Sequence, residues 1–223
     1  MVYNLGLIGA GTVGSGFVKI FVKQKSFFHE SLGLNIELKR IVDKNTSLFD
    51  ILPTQSAVCT SNIDDILNDP DIHIVIELIG GTTVARRLIL CALEYGKHVV
   101  TANKALLAEY GPEIFDSGEA NNVSVFFEAS VGGGTPVIKT IREALIGNDI
   151  MAVNTIINGT CNYILTQMKE YGYDFESVLK KAQEAGYAES DPTLDISGGD
   201  TGHKVAIMAS ILFGGYVPLN DIH

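Results

Sequence analysis

Apolar and polar positions alternate in two periods through the first half of the chain, and the switches between them predict its elements. Residues 3–8 form an apolar run that reads as a strand, and residues 12–23 repeat apolar side chains at helical spacing (Val13, Phe17, Val18, Ile20, Phe21). Residues 25–35 read as a polar, glycine-containing insertion. A second strand at 36–42 (Ile36, Leu38, Ile41, Val42) ends at Asp43. A short helix over 63–68 is stopped by Asp69-Pro70. Residues 72–79 are apolar apart from His73 and Glu77, as in a strand buried on both faces. A helix at 83–95 is followed by Gly96 as its C-terminal cap. Then come a strand at 97–101, helices at 105–110 and 113–120, and a strand at 123–128. Unbroken apolar strands between helices predict a doubly wound α/β domain with a parallel sheet.

The pattern changes after Glu128. Gly132-Gly133-Gly134 looks like a hinge, and Thr135-Pro136 starts a helix that continues over 138–145. Residues 151–158, with Ala152, Val153, Ile156 and Ile157 apolar, read as a strand. Helices follow at 161–170, 175–185 and 200–213. These readings place a domain boundary near residue 130, with the α/β domain over 1–130 and a smaller α+β domain over 131–223.

Between the first strand and helix stands Gly9-Ala10-Gly11-Thr12-Val13-Gly14. This is the context a dinucleotide-binding fingerprint requires. Gly9 permits the tight turn, Gly11 lets backbone approach a pyrophosphate, and Gly14 lets helix pack on strand. Free N–H groups and the positive dipole end at Thr12 and Val13 favour the phosphates. Asp43, ending the second strand, suits a ribose hydroxyl and so NAD. Lys44 beside it could instead meet the extra phosphate of NADP. The reading leans to NAD, with dual use allowed.

Composition narrows the partners. The 223 residues carry a net charge of −10, which disfavours nucleic acid and anionic membrane surfaces. No apolar run approaches the ~18–20 residues of a membrane span, and no secretory leader is apparent. Cys59, Cys91 and Cys161 are far apart, lack metal-ligand spacing and suit a reducing cytoplasm.

Polar chemistry concentrates in four segments set in apolar context. They are Glu77-Leu78-Ile79-Gly80-Gly81, Thr101-Ala102-Asn103-Lys104, Asn158-Gly159-Thr160-Cys161-Asn162-Tyr163, and 186–192 running on to Asp200 and Lys204. The first two follow strands, where open α/β sheets bind ligands. Lys104 at a helix start opposes the macrodipole, which favours a functional use. Read alone, Asp200 and Lys204 are four apart on one helix, as in an ordinary surface ion pair worth ~0.3–0.5 kcal/mol. Glu189 alone is an ordinary loop carboxylate. His73 and His98 read as strand-edge or core histidines, His203 as solvent-facing, and Cys161 as a buried small hydrophobe.

Together, the fingerprint, the Glu-Leu-Ile-Gly-Gly and Thr-Ala-Asn-Lys segments, the 128–136 segment, Asn158-Gly159-Thr160, and Ala185-Gly186-Tyr187-Ala188-Glu189 with Asp191, Pro192, Asp200 and Lys204 resemble homoserine dehydrogenase. The resemblance runs from residue 4 to about residue 213. It implies NAD(P)-dependent interconversion of L-homoserine and L-aspartate 4-semialdehyde, in the biosynthesis of threonine, methionine and isoleucine. It also implies Lys204 as acid/base with Lys104 as a second cation. A lysine titrates near ~10.4, so base action near neutrality needs a depression of ~3 units by burial or such a cation. Glu189 and Asp200 would hold substrate. Gly186 and Glu189 would lie close to the cofactor with Gly9, Gly11, Thr12, Val13, Gly14, Asp43 and Lys104. Oxygens of Glu128, Val131, Gly133 and Thr135 would bind sodium, although the same segment also reads as a plain hinge. A homodimer is implied if the family's C-terminal continuation is supplied.

The family's catalytic region continues past residue 223, completing the second domain's sheet. The expectation is therefore a truncated or split form that binds cofactor but is catalytically impaired or unstable alone. Two other readings compete. A phosphorylating semialdehyde dehydrogenase would need Cys161 as a thiolate nucleophile with a histidine base. A non-catalytic NAD(P) sensor would bind cofactor without turnover.

Overall fold

The structure is a computed structural model that describes residues 2–54, 56–188 and 191–223. The chain divides into two compact units, Met1–Ser130 and Val131–His223.

The first unit alternates strand and helix. Its elements are β1 (Val2–Ile8), α1 (Thr12–Leu32), β2 (Asn35–Val42), β3 (Val58–Thr60), α2 (Asp64–Leu67), β4 (Ile72–Glu77), α3 (Thr83–Glu94), β5 (His98–Thr101), α4 (Lys104–Ala120) and β6 (Val125–Phe126). All six strands pair in parallel, in the order β3-β2-β1-β4-β5-β6. This is a Rossmann-like α/β sheet. Chain direction across the sheet reverses between β1 and β4, which opens a crevice beyond their C-terminal ends. Leu5, Leu7, Leu38 and Ile41 pack against Val18 and Phe21 of α1. Each such buried side chain contributes roughly 1.5–3 kcal/mol.

Three expectations change here. Residues 25–32 are not an insertion loop but extend α1 to Leu32, where Gly33 caps it at φ 66°. Phe28 packs on the core from those added turns, and the polar side chains between face outward. The helices read at 105–110 and 113–120 are one helix, α4, kinked at Tyr110 (φ −127°) just ahead of Pro112, which cannot donate a backbone hydrogen bond. The strand read at 123–128 pairs only over Val125–Phe126. His73 and His98 sit at strand edges. Each accepts a backbone N–H on Nδ1, from Asn4 (3.1 Å) and Ser124 (3.0 Å) respectively.

The second unit contains α5 (Val137–Lys139) leading into a π-helical turn (Thr140–Ala144), then α6 (Gly159–Tyr171), α7 (Phe175–Glu184), α8 (Thr193–Ile196) and α9 (Gly199–Phe213). Ile164, Val178, Ala182 and Ala188 form the core between α6 and α7. The strand read at 151–158 is not formed. The segment is extended, but a strand needs a neighbour for its N–H and C=O groups, and among the described residues of this unit there is none. Its apolar side chains Met151, Val153 and Ile156 stand exposed. His203 is buried, not solvent-facing, because α9 also buries Ala206, Ile207 and Met208.

Candidate active site

In the first unit the glycine turn carries out distinct tasks at each position. Gly9 is left-handed (φ 98°), and a Cβ there would lie 2.8 Å from the Leu78 carbonyl. A Cβ on Gly14 would lie 2.0 Å from the Gly9 oxygen, so α1 can seat on the turn only without one. A Cβ on Gly11 would meet nothing within 4 Å. Protein packing does not demand glycine there, and the space beside it is open. Thr12 and Val13 are exposed in the first turn of α1.

A cavity of about 500 Å³ adjoins this turn. It is lined by Gly9, Gly11, Asp43, Ile79, Gly80 and Arg87 among others. Asp43 is oriented by two backbone donors: Ala10 N–H at 2.6 Å to Oδ2 and Asn45 N–H at 2.8 Å to Oδ1. Lys44 lines the same cavity. The cradle fits a dinucleotide: glycine backbone and a helix start for phosphates, and a fixed carboxylate at the β2 end for a ribose.

Lys104 is the first residue of α4, whose N-terminus Asn103 caps by accepting the Leu106 N–H at 3.2 Å. Glu128 opens a short 3₁₀ turn (Glu128–Ser130) that closes the first unit. Val131, Gly133 and Thr135 fall in the turns that open the second, where Gly132 and Gly134 have φ of 64° and 84°.

The second unit holds a polar cavity of about 530 Å³. Its lining includes Asn158, Thr160, Tyr187, Asp195, Asp200 and Lys204. The Lys204 ammonium donates to Asp200 Oδ2 at 2.6 Å and to the Ile157 carbonyl at 2.8 Å. The pair is not the surface ion pair that spacing alone suggests: the side chains are 16% and 7% exposed. Asn158 links the rest. Its amide donates to Asp195 Oδ1 and to Asp200 Oδ2, both at 2.8 Å, while its Oδ1 caps α6 by accepting the Cys161 N–H at 2.7 Å. Thr160 donates to the Tyr187 carbonyl at 2.7 Å. Gly186, at φ 76°, makes the exposed turn after α7. Glu189 lies outside the described residues.

Asp195 and the bridging role of Asn158 were not legible as site chemistry. The only sequence signal was the Asn-Gly-Thr-Cys-Asn segment; the 37-residue separation of Asn158 from Asp195 hid their contact. Cys161 donates its S–H to the Asp195 carbonyl at 3.3 Å. Burial first, then the Asp195 and Asp200 carboxylates, push its thiol up from the ordinary value. That environment opposes a thiolate nucleophile, and no histidine is among the described residues lining the cavity.

Comparison with known proteins fits both cavities into one family. Residues 9–128 match the family model described as homoserine dehydrogenase, NAD binding domain, and residues 136–223 match that described as homoserine dehydrogenase. A homoserine dehydrogenase of Synechocystis is 46% identical over all of this chain and 51% of its own length. One from Neisseria gonorrhoeae is 46% identical over 97% of this chain and 49% of its own. The crystal structure of a Thiobacillus denitrificans homoserine dehydrogenase superposes with a TM-score of 0.92 at 44% identity, covering 98% of this chain and 50% of that one. A hyperthermophilic archaeal homoserine dehydrogenase in complex with NADPH superposes with a TM-score of 0.82 at 26% identity, covering 97% and 71%. The chain spans about half the length of the curated relatives it matches.

Proposed function

The chain belongs to the homoserine dehydrogenase family, and on that basis we propose that it carries the cofactor and substrate machinery for interconverting L-homoserine and L-aspartate 4-semialdehyde. The observation that carries this reading is the largely buried Asn158–Asp195–Asp200–Lys204 network. Two carboxylates against one ammonium leave the cavity with net negative charge, which suits the ammonium of an amino acid. Lysine has three N–H donors. Two are used, on Asp200 and the Ile157 carbonyl, and the third can meet a substrate oxygen in the cavity.

In the reducing direction Lys204 donates a hydrogen bond to the aldehyde oxygen and delivers its proton as the alkoxide develops. Asp200 and the Ile157 carbonyl hold the ammonium in place for that donation. In the oxidising direction the lysine accepts the alcohol proton. A nicotinamide cofactor, when bound, takes or returns the hydride. Gly9, Gly11, Thr12, Val13 and Gly14 would hold its phosphates, Asp43 its ribose, and Lys104, Gly186 and Glu189 would stand near its reactive end. NAD is favoured by Asp43. Use of NADP also remains within the proposal, since Lys44 lines the same cavity and a relative was solved with NADPH. Sodium is proposed at oxygens of Glu128, Val131, Gly133 and Thr135.

Three free cysteines among the described residues, and no described helix long and apolar enough to cross a membrane, support a cytoplasmic placement. A homodimer is proposed through the second unit, which exposes Ile146, Met151, Ile156 and Phe213. The test is L-homoserine-dependent reduction of NAD+ and NADP+ by the chain beside its Lys204→Ala variant. Turnover lost in the variant is expected. Cofactor binding with no turnover in either protein would point to a truncated catalytic region or to a sensor instead.

A further inference from the structure

One charged group inside the first unit belongs neither to the cofactor cradle nor to the substrate cavity. Glu77, the last residue of β4, is fully buried. Its Oε1 accepts the N–H groups of Ile79 (2.9 Å) and Gly80 (3.0 Å), and its Oε2 accepts the Thr101 hydroxyl at 2.6 Å. Thr101, at the end of β5, in turn accepts the Asn103 N–H at 3.0 Å. Asn103 donates its side-chain amide to the Gly81 carbonyl at 2.7 Å. The bonds close a ring: Glu77, the 79–81 turn, Asn103, Thr101 and back to Glu77.

A buried carboxylate is costly unless every lone pair it exposes to protein is met by a donor. Here three donors come from two strand exits, so the carboxylate ties those exits together. The turn it holds is built on two left-handed glycines, Gly80 and Gly81 (φ 71° and 72°). Leu78, Ile79 and Gly80 form a wall of the cavity beside the glycine turn. The Asn103 side of the ring sets the start of α4, where Lys104 stands.

Position in the sheet says which part of a ligand this wall meets. Asp43 fixes the ribose end at β2, on one side of the β1/β4 reversal. A dinucleotide laid across that reversal places its other half over β4 and β5. We propose that Glu77 is a positioning residue for the nicotinamide half of the cofactor, acting through the 79–81 turn and the Thr101–Asn103 link. The inference rests on the dinucleotide reading of the cavity.

The test separates positioning from general damage by using a whole cofactor and a fragment. Dissociation constants for NADH, NADPH and ADP-ribose are measured on the wild type, Glu77→Gln and Thr101→Val. Gln keeps the size of Glu but cannot accept from both strand exits, and Val keeps the shape of Thr without its hydroxyl. The expected result is about tenfold weaker binding of the preferred dinucleotide, with ADP-ribose within about twofold of wild type, as loss of about one net hydrogen bond predicts. Equal weakening of dinucleotide and fragment, no weakening of either, or failure of both variants to fold would overturn the positioning role. A wild type that binds neither dinucleotide would overturn the cofactor reading and this inference together. A wild type that binds, with unaffected variants, would overturn this inference alone.

Discussion

Replacing Asn158 probes the substrate cavity through a residue with two separable jobs. Its Oδ1 caps α6, while its amide gives one N–H to Asp195 and one to Asp200. Asn158→Ala removes both jobs. Loss of an N-cap costs about 1 kcal/mol, and loss of a hydrogen bond to a charged group costs about 1.5–3 kcal/mol. Water can re-solvate half-buried Asp195 but hardly Asp200, which is 5% exposed. The net loss should be about 3 kcal/mol. Asn158→Asp keeps the cap, since Asp caps as well as Asn, but turns two donors into acceptors facing two carboxylates. Like charges about 4 Å apart at a half-buried site repel by about 4 kcal/mol, so the Asp variant should be the less stable of the two.

The pH dependence has a definite sign. A carboxyl introduced beside two carboxylates has its folded value raised above the unfolded value of about 3.9. The folded state then binds the extra proton, and stability is lost as pH rises through the folded value. Urea unfolding at about pH 5 and about pH 8 should show the gap between the Asp and Ala variants widening at the higher pH. An Asp variant as stable as wild type at the higher pH would refute the bridging role of the amide.

Four other residues give outcomes of their own. Gly14→Ala should destabilise the first unit by at least about 1–3 kcal/mol, because its Cβ collides with the Gly9 carbonyl. Gly11→Ala should unfold like wild type yet weaken cofactor binding; thermal unfolding and NADH titration check both. Lys97 is buried, with its ammonium donating to the Asp69 and Ile72 carbonyls, and burial pushes its value below the ordinary one. Wild-type stability should therefore rise relative to Lys97→Met as pH climbs from the folded value toward the unfolded value of about 10.4. A constant difference in urea unfolding across that range would contradict it. Cys161 should alkylate more slowly than an unperturbed thiol at neutral pH, by mass spectrometry of iodoacetamide adducts, since its thiolate is disfavoured. Cys161→Ser should retain turnover, where a thiolate mechanism requires its loss.

The first unit was largely legible because its signals are local. An apolar strand, three glycines and an amphipathic helix fix β1, the turn and the start of α1, and the continuous apolar run at β4 marks a strand buried on both faces. What failed depended on partners far along the chain. Residues 25–32 look like a loop because polar side chains dominate, yet Phe28 reaches the core and the helix continues. Met151 to Asn158 are apolar enough to read as a strand, but local composition cannot supply a neighbour to pair with. The spacing of Asp200 and Lys204 alone reads as an ordinary surface ion pair. Burial separates a solvated ion pair from a cavity wall, and burial comes from packing across α6, α8 and α9. His203 was misread for the same reason. Glu77 stood out in sequence as polar within an apolar run, but its ring needs β4 and β5 side by side.

If Lys204 serves hydride exchange with the hydroxyl-bearing carbon of L-homoserine, an isotope on that carbon must reach the cofactor. The most direct measurement uses L-homoserine deuterated at that carbon, incubated with the chain and the oxidised cofactor, with mass analysis of the reduced cofactor. The account predicts deuterium on the nicotinamide ring with wild type and none with Lys204→Ala. Deuterium transfer by the variant at the wild-type rate, or none by a wild type that binds cofactor, would contradict it.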